Sequence, residues 1–339
     1  MTVSQWADKN RKLSPESSSE PGRWLTARAE YQRGFMDADN DPRVEVIVGM
    51  FSVQTGKTET LNNVVAYHID QDPAPMLQLQ PTLEMAETWS KDRLAPMLRD
   101  TPRLRGKVRD AKAKNSGNTL RRKLFPGGHI TMAGANSPAS LASRPIRIVL
   151  ADEIDRFPPS AGAEGDPVSL AKKRSKTFWN RKIILTSTPT LAGHSRIEEA
   201  YEESDQRRYY VPCPECGEKQ VLKWSQVHWE NEDYATAAYA CEACGSLWND
   251  TQRMAAVSKG EWRATRPFTG TAGFHIWQAY SPWVKLWEIV KEFLAARKNP
   301  ERLKVFVNTE LAETWKERGE APEWKRLYDR AEDYAIGSI

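Results

Sequence analysis

The sequence predicts an α/β fold, a mostly parallel sheet with helices on both faces. Three observations carry this. Apolar, β-forming runs alternate with helical patterns along the chain, as in parallel sheets. One run leads directly into Gly56-Lys57-Thr58, and another ends in Asp152-Glu153.

The elements follow in order. Residues 14–22 are polar and rich in chain breakers, and read as a linker closing a short N-terminal arm over 1–25. Residues 44–53 form a buried-strand pattern, followed by a helix from Gly56 to about Ile69. A second strand is expected over 76–80 and a helix over 83–98. Two short strands at 120–125 and 129–133 flank Pro126-Gly127-Gly128, which suggests a hairpin. Further strands are expected over 146–151 and 182–187. Residues 209–250 interrupt the rhythm and hold all four cysteines. From Pro282 to about Arg318 the spacing of Trp283, Leu286, Trp287, Val290, Phe293 and Leu294 returns to helix. The expected divisions are thus an arm (1–25), a core (26–208), an insertion (209–250) and a helical C-terminal part (251–339).

Composition sets bounds. A chain of 339 residues, 40% hydrophobic, can bury a sizeable core, and its net charge of +4 does not by itself imply a polyanionic partner. No apolar run approaches the roughly 18–20 residues that span a bilayer, and Met1–Asn10 lacks a signal-peptide core. A soluble, cytoplasmic protein with no membrane partner is expected. Charge is uneven: ten Lys/Arg between Arg99 and Lys123 face only Asp100 and Asp110, and Lys172-Lys173-Arg174 with Lys176 form a smaller cluster. Such stretches suit phosphate tracking or are simply a solvated face.

The chemistry gathers at two motifs. Gly-x-x-x-x-Gly-Lys-Ser/Thr is the phosphate-binding loop. Gly56-Lys57-Thr58 supplies its second half, while Phe51 occupies the first glycine position. Gln54, Thr55 and Gly56 would wrap the phosphates, which the helix N-terminus favours. Lys57 would neutralise phosphate charge, and the Thr58 hydroxyl would ligate Mg²⁺. A chance Gly-Lys-Thr in a loop is the alternative. The apolar strand ending in Asp152-Glu153 carries paired acids to the edge where ligands bind in such sheets. Asp152 would hold Mg²⁺ and Glu153 would polarise the attacking water. Jointly the motifs predict a P-loop NTPase, and the adjacent Asp-Glu pair points to the additional-strand, catalytic-glutamate class. Residues 183–189 end a strand in hydroxyls that could sense a terminal phosphate or merely satisfy a turn.

Cys213-x-x-Cys216-Gly and Cys241-x-x-Cys244-Gly are separated by 24 residues. Paired thiolates at this spacing suit tetrahedral, structural Zn²⁺, so a zinc-ribbon-like insertion is expected.

Taken in order, these residues resemble the large terminase subunits of tailed phages, in the lambda-like branch. The resemblance runs through Tyr31-Gln32-Arg33, Ser52 to Glu59, Leu150 to Asp155, Thr186 to Thr190, the cysteine knuckles and Phe306 to Leu311. It implies an ATPase motor that moves double-stranded DNA into a procapsid in the host cytoplasm. The implied partners are the portal protein, the small terminase subunit and further copies in a ring. Gln32 would read adenine, and Thr188 would couple hydrolysis to movement. A neighbour's arginine would complete the site, with Arg144 the first candidate and Arg147 the second. Family members continue into a nuclease domain, so an ATPase portion without a nuclease site is expected. A superfamily-2 helicase (from Asp152-Glu153-Ile154-Asp155) and a non-catalytic zinc-bearing DNA-binding scaffold are the competing readings.

Overall fold

A computed structural model describes residues 1–108, 117–137 and 145–317. The N-terminal segment is part of the body. Helix α1 (Val3–Asn10) starts at a Thr2 capping box with Gln5 and buries Val3, Trp6 and Ala7 completely. The Trp6 indole donates to Asp70 at 2.8 Å. The expected arm and linker are therefore corrected. Strands β1 (Lys12–Leu13) and β2 (Gly22–Arg23) pair antiparallel, and Ser14 between them is buried. The breaker residues make a folded strap, because each short segment finds packing partners far away in the chain.

Helix α2 (Tyr31–Asp37) precedes the repeating part. Strand β3 (Val46–Phe51) leads into α3 (Lys57–Asp70), and β4 (Pro75–Gln80) into α4 (Leu83–Trp89). The single helix expected over 83–98 is broken: a π-helical turn, Ser90–Leu94, joins α4 to α5 (Ala95–Asp100). Strands β5 (Arg122–Phe125) and β6 (Gly128–Gly134) form the hairpin that Pro126-Gly127-Gly128 predicts. Next come β7 (Ile148–Asp152), α6 (Pro167–Ser175), β8 (Lys182–Ser187) and α7 (Arg196–Glu202).

The cysteine region grows out of the sheet. Strands β9 (Arg207–Pro212) and β10 (Lys219–Val221) pair with each other. Strands β11 (Val227–Glu230), β12 (Asp233–Ala240) and β13 (Leu247–Trp248) form a small separate sheet. Helix α8 (Asp250–Val257), β14 (Glu261–Arg263) and β15 (Thr271–Ile276) follow. The chain then forms α9 (Leu286–Ala296) and α10 (Pro300–Thr309). The one helix expected over 282–318 is thus two, because Asn299 caps a new start and Pro300 occupies its first turn. The expected boundary at 208/209 falls inside β9, which pairs parallel with β15.

The large sheet runs β10-β9-β15-β3-β8-β7-β4-β6-β5, with β14 also on β9. Its interior is parallel from β9 to β6. Alternation along each strand builds two cores. Ile47, Met76, Ile148, Leu150 and Ile184 face α3 and α4. Val48, Leu77, Leu79, Val149 and Leu185 face α6 and α7. Asp152 and Thr186 continue the α3-facing sets of their strands, which brings β7 and β8 to the phosphate loop.

Beneath the sheet, buried His68 on α3 meets Asp39 at 2.9 Å and the Asp72 carbonyl at 3.0 Å. Arg147 is buried beside it, ion-paired to Asp72. Arg147 precedes β7, at the opposite end from Asp152, so it is fixed inside this chain and cannot reach a neighbour's nucleotide. Arg144 lies outside the described residues. Among the described residues no helix is long and apolar enough to cross a membrane.

Candidate active site

The loop between β3 and α3 is held from several sides. Tyr31 Oη and Gln32 Nε2 on α2 both donate to the Thr55 carbonyl at 2.9 Å. Ser281 Oγ donates to the Gln54 carbonyl at 2.7 Å, and the Val53 amide to Thr309 at 3.0 Å. Gln54 and Gly56 adopt positive φ of 58° and 79°. A Cβ on Gly56 would stand 2.4 Å from Gln32 Nε2, so glycine is required on two counts. Phe51, at the motif's first glycine position, is the last residue of β3 and is buried against Phe35, with centroids 5.2 Å apart. Gly49 makes the room: a Cβ there would lie 2.9 Å from Phe35 and 3.0 Å from Phe51. The departure at Phe51 thus belongs to the core and leaves the curvature to Gln54 and Gly56.

Lys57, the first residue of α3, joins the motifs. Its Nζ forms an ion pair with Glu153 and donates to Thr188 Oγ1 at 3.0 Å. Glu153 leaves β7 in the left-handed region, at φ 58°, a conformation that needs support from its surroundings. Its Oε2 is buried without a hydrogen-bond partner, and Arg156 Nε stands 3.7 Å away. Asp152 accepts a 2.7 Å bond from Thr186 Oγ1. Burial pushes its pKa up, against the opposing pull of Lys57. An acid pair of this kind, with an unfilled buried oxygen beside Thr58, fits a hydrated divalent cation.

Two adjoining cavities meet here. One, about 410 Å³, is lined by Gln32, the loop 52–58, Glu153 and Trp283. The other, about 840 Å³, is lined by Thr58, Gln80, Asp152, Glu153 and Arg156. Gln32, Gln54, Thr55, Gly56, Lys57, Thr58, Asp152 and Glu153 thus line one connected space, with Thr188 tied to it through Lys57. Ser17, Ser18, Ser19 and Arg93 border both cavities. Sequence reasoning missed them, along with Trp283, read only as a helix-face residue. Nothing local marks Ser17–Ser19 or Arg93 as site residues.

The sulfurs of Cys213, Cys216, Cys241 and Cys244 lie within 4.8 Å of one another. The amides of Glu215 and Ala243 point at Cys213 and Cys241 sulfurs, each at 3.4 Å. Gly217 and Gly245 supply the positive φ of each knuckle. Four thiolates so converged suit a tetrahedral soft cation. The basic stretch is less free than its composition suggests. Arg99 pairs with Asp100 and Glu16, Arg103 and Lys107 with Asp70, and Arg121 with Glu87. Arg109, Lys112 and Lys114 lie outside the described residues.

A lysine opening a helix after a parallel strand, facing paired acids two strands away, is the arrangement of a P-loop-like α/β fold. The comparisons carry this to a family. Residues 18–262 match the family "Phage terminase large subunit gpA, ATPase domain", and the chain belongs to that family. Residues 271–339 match "Terminase large subunit gpA, endonuclease domain", so the expectation of a chain without the nuclease portion is not upheld. The terminase large subunit of Enterobacteria phage P21 is 33% identical over 98% of this chain. That of Escherichia phage lambda is 30% identical over 98%. The chain spans 56% of the length of each. The crystal structure of the HK97 bacteriophage large terminase covers 93% of this chain, and the chain covers 56% of it, with a TM-score of 0.57 and 13% identity, a likeness of fold.

Proposed function

We propose that this chain is the ATP-hydrolysing motor portion of a phage DNA-packaging terminase. The observation that carries the reading is Lys57, which touches both Glu153 and Thr188. One cation thereby connects the phosphate loop, the acid that would activate water and the hydroxyl that would report on the terminal phosphate.

ATP would lie across the two cavities, with its base toward Gln32 and Trp283 and its phosphates on Gln54–Thr58. Mg²⁺ would be held by Thr58 and Asp152, and would neutralise phosphate charge. Glu153 would take the proton of the attacking water as the water oxygen bonds to the γ-phosphorus and the bond from that phosphorus to the bridging oxygen breaks, with ADP leaving. Lys57, drawn onto the phosphates, would release Glu153 for that task. Strand β8 lies between β3 and β7, which supports the additional-strand, catalytic-glutamate class. The four cysteines would hold a structural Zn²⁺ in a ribbon-like module that braces β9 and β10. Double-stranded DNA, the portal protein, the small subunit and a ring of copies in the host cytoplasm complete the reading, with Arg144 the candidate finger. The helicase alternative calls for a second ATPase-like lobe after β8. The described residues there instead complete the first sheet with β9 and β15.

The test is phosphate release against protein concentration, with and without duplex DNA. Turnover that rises with concentration and is abolished in Glu153→Ala supports the motor. No hydrolysis under any of these conditions favours the scaffold reading.

A further inference from the structure

We infer that Arg93 is a second phosphate-contacting cation, supplied in cis and held ready by a carboxylate it shares with Arg11. The inference rests on the nucleotide reading above and deepens it.

Three observations converge on Arg93. It sits on the π-helical turn Ser90–Leu94, the kind of irregularity that re-aims side chains at functional sites. It borders both cavities, as do Thr58 and Glu153, so it stands where the loop side and the acid side meet. Its charge is also only partly compensated. Within 4 Å its acidic partner among the described residues is Glu59, at 3.9 Å. Glu59 already pairs with buried Arg11 at 2.9 Å and accepts from Asn62 Nδ2 at 3.0 Å. Two guanidiniums on one carboxylate leave an excess positive charge. Arg11 is 2% exposed and Arg93 41% exposed, so the excess resides on the movable side chain facing the cavity.

Among the described residues, Arg93 also donates to the Ser17 carbonyl in the strap, a neutral acceptor that a phosphate outcompetes electrostatically. A planar guanidinium can grip two oxygens of one phosphate with paired, parallel N–H donors, a fork the Lys57 ammonium lacks. Beside Thr58 and Glu153, Arg93 would meet the terminal phosphate. It would therefore favour ATP over ADP, independently of any neighbouring subunit.

The test uses the whole chain and fluorescent mant-ATP and mant-ADP, comparing the unaltered protein with Arg93→Ala, Arg93→Gln, Arg93→Lys and Lys57→Ala. Glutamine can still donate to the Ser17 carbonyl but carries no charge, so it separates bracing of the strap from phosphate contact. Arg93→Ala and Arg93→Gln should each weaken ATP about tenfold, change ADP less than twofold, and do so equally at low and high protein concentration. Arg93→Lys, which keeps the charge but not the planar fork, should recover only part of the ATP affinity. An unchanged ATP-to-ADP ratio in Arg93→Gln overturns the proposal, as does an equal loss for both nucleotides. If Arg93→Ala fails to fold, the Gln and Lys variants decide alone. Binding of neither nucleotide by the unaltered chain would overturn the nucleotide reading itself, and this inference with it. Lys57→Ala verifies that any binding seen is at this site.

Discussion

At the residue scale, the site depends on a lysine with two partners. Glu153 and Thr188 already engage Lys57, so a phosphate bound on the loop would compete with the Glu153 carboxylate for its single charge. Thr188→Val removes one hydroxyl while keeping the shape. Lys57 then keeps Glu153 and can still reach a phosphate, so ATP affinity should stay within about twofold while turnover falls roughly tenfold or more. Equilibrium binding and single-turnover hydrolysis measured on the same preparation separate the two. A matched loss of affinity and turnover would show instead that Thr188 only shapes the pocket. At this scale the sequence was informative wherever spacing encodes chemistry. Gly56, Lys57, Thr58, Asp152 and Glu153 follow from motifs, because strand–loop–helix order forces their convergence. Gln32 followed only from resemblance. Arg93 and Ser17–Ser19 were illegible, since their place depends on a π-turn and a strap that no local pattern encodes.

At the scale of elements, two devices hold the sheet and each is testable. His68 on α3 has acceptor oxygens within reach of both ring nitrogens, the Asp39 carboxylate and the Asp72 carbonyl, with Arg147 Nη2 also 3.3 Å from Nδ1, so the protonated ring finds an acceptor for each N–H. Burial alone would lower its pKa, but Asp39 and Asp72 outweigh this and raise it to about 9. A pKa above the unfolded value of about 6.5 means stabilisation that is full below that pH and lost as pH climbs toward 9. Unfolding by denaturant should show a decline on the order of 3 kcal/mol across that window, and His68→Gln should flatten it. The second device is the cysteine cluster. Cys213 follows directly on β9, and Cys241 accepts from Gln220 on β10 at 3.2 Å. If the cluster holds zinc as proposed, chelation, or removal of one thiolate by Cys213→Ser, should therefore loosen an edge of the main sheet along with the knuckles. Melting should fall by several degrees or more and metal content should drop on elemental analysis; a bound-metal count of zero in the untreated protein would remove the basis for zinc. The knuckles were legible in sequence because their spacing is local. That β9 joins β15 was not, because parallel pairing across sixty residues leaves no periodic trace.

At the scale of the whole molecule, sequence-family boundaries and the folded unit disagree, and the structure says where a cut should fail. The ATPase-domain match ends at Trp262 and the endonuclease match starts at Thr271. Yet β15, Thr271–Ile276, lies between β9 and the phosphate-loop strand β3, paired with β3 along its full length. Beyond it, Ser281 holds the Gln54 carbonyl, Thr309 receives the Val53 amide, and buried Arg253 donates to the carbonyls of Ala279 and Val284. Ending the chain at 262 would expose the inner edge of β3 and the apolar surface that Phe274, Ile276, Leu286, Ile289 and Val290, all buried here, now cover. At roughly 1.5–3 kcal/mol per buried large apolar side chain, that loss is comparable with the ~5–15 kcal/mol by which a domain is usually stable. A chain of residues 1–262 should be insoluble or lack a cooperative melt, whereas the full chain should melt cooperatively. Circular dichroism melts of the two, run side by side, give the answer: a cooperative, nucleotide-binding 1–262 fragment would mean that β15 is dispensable to the ATPase fold.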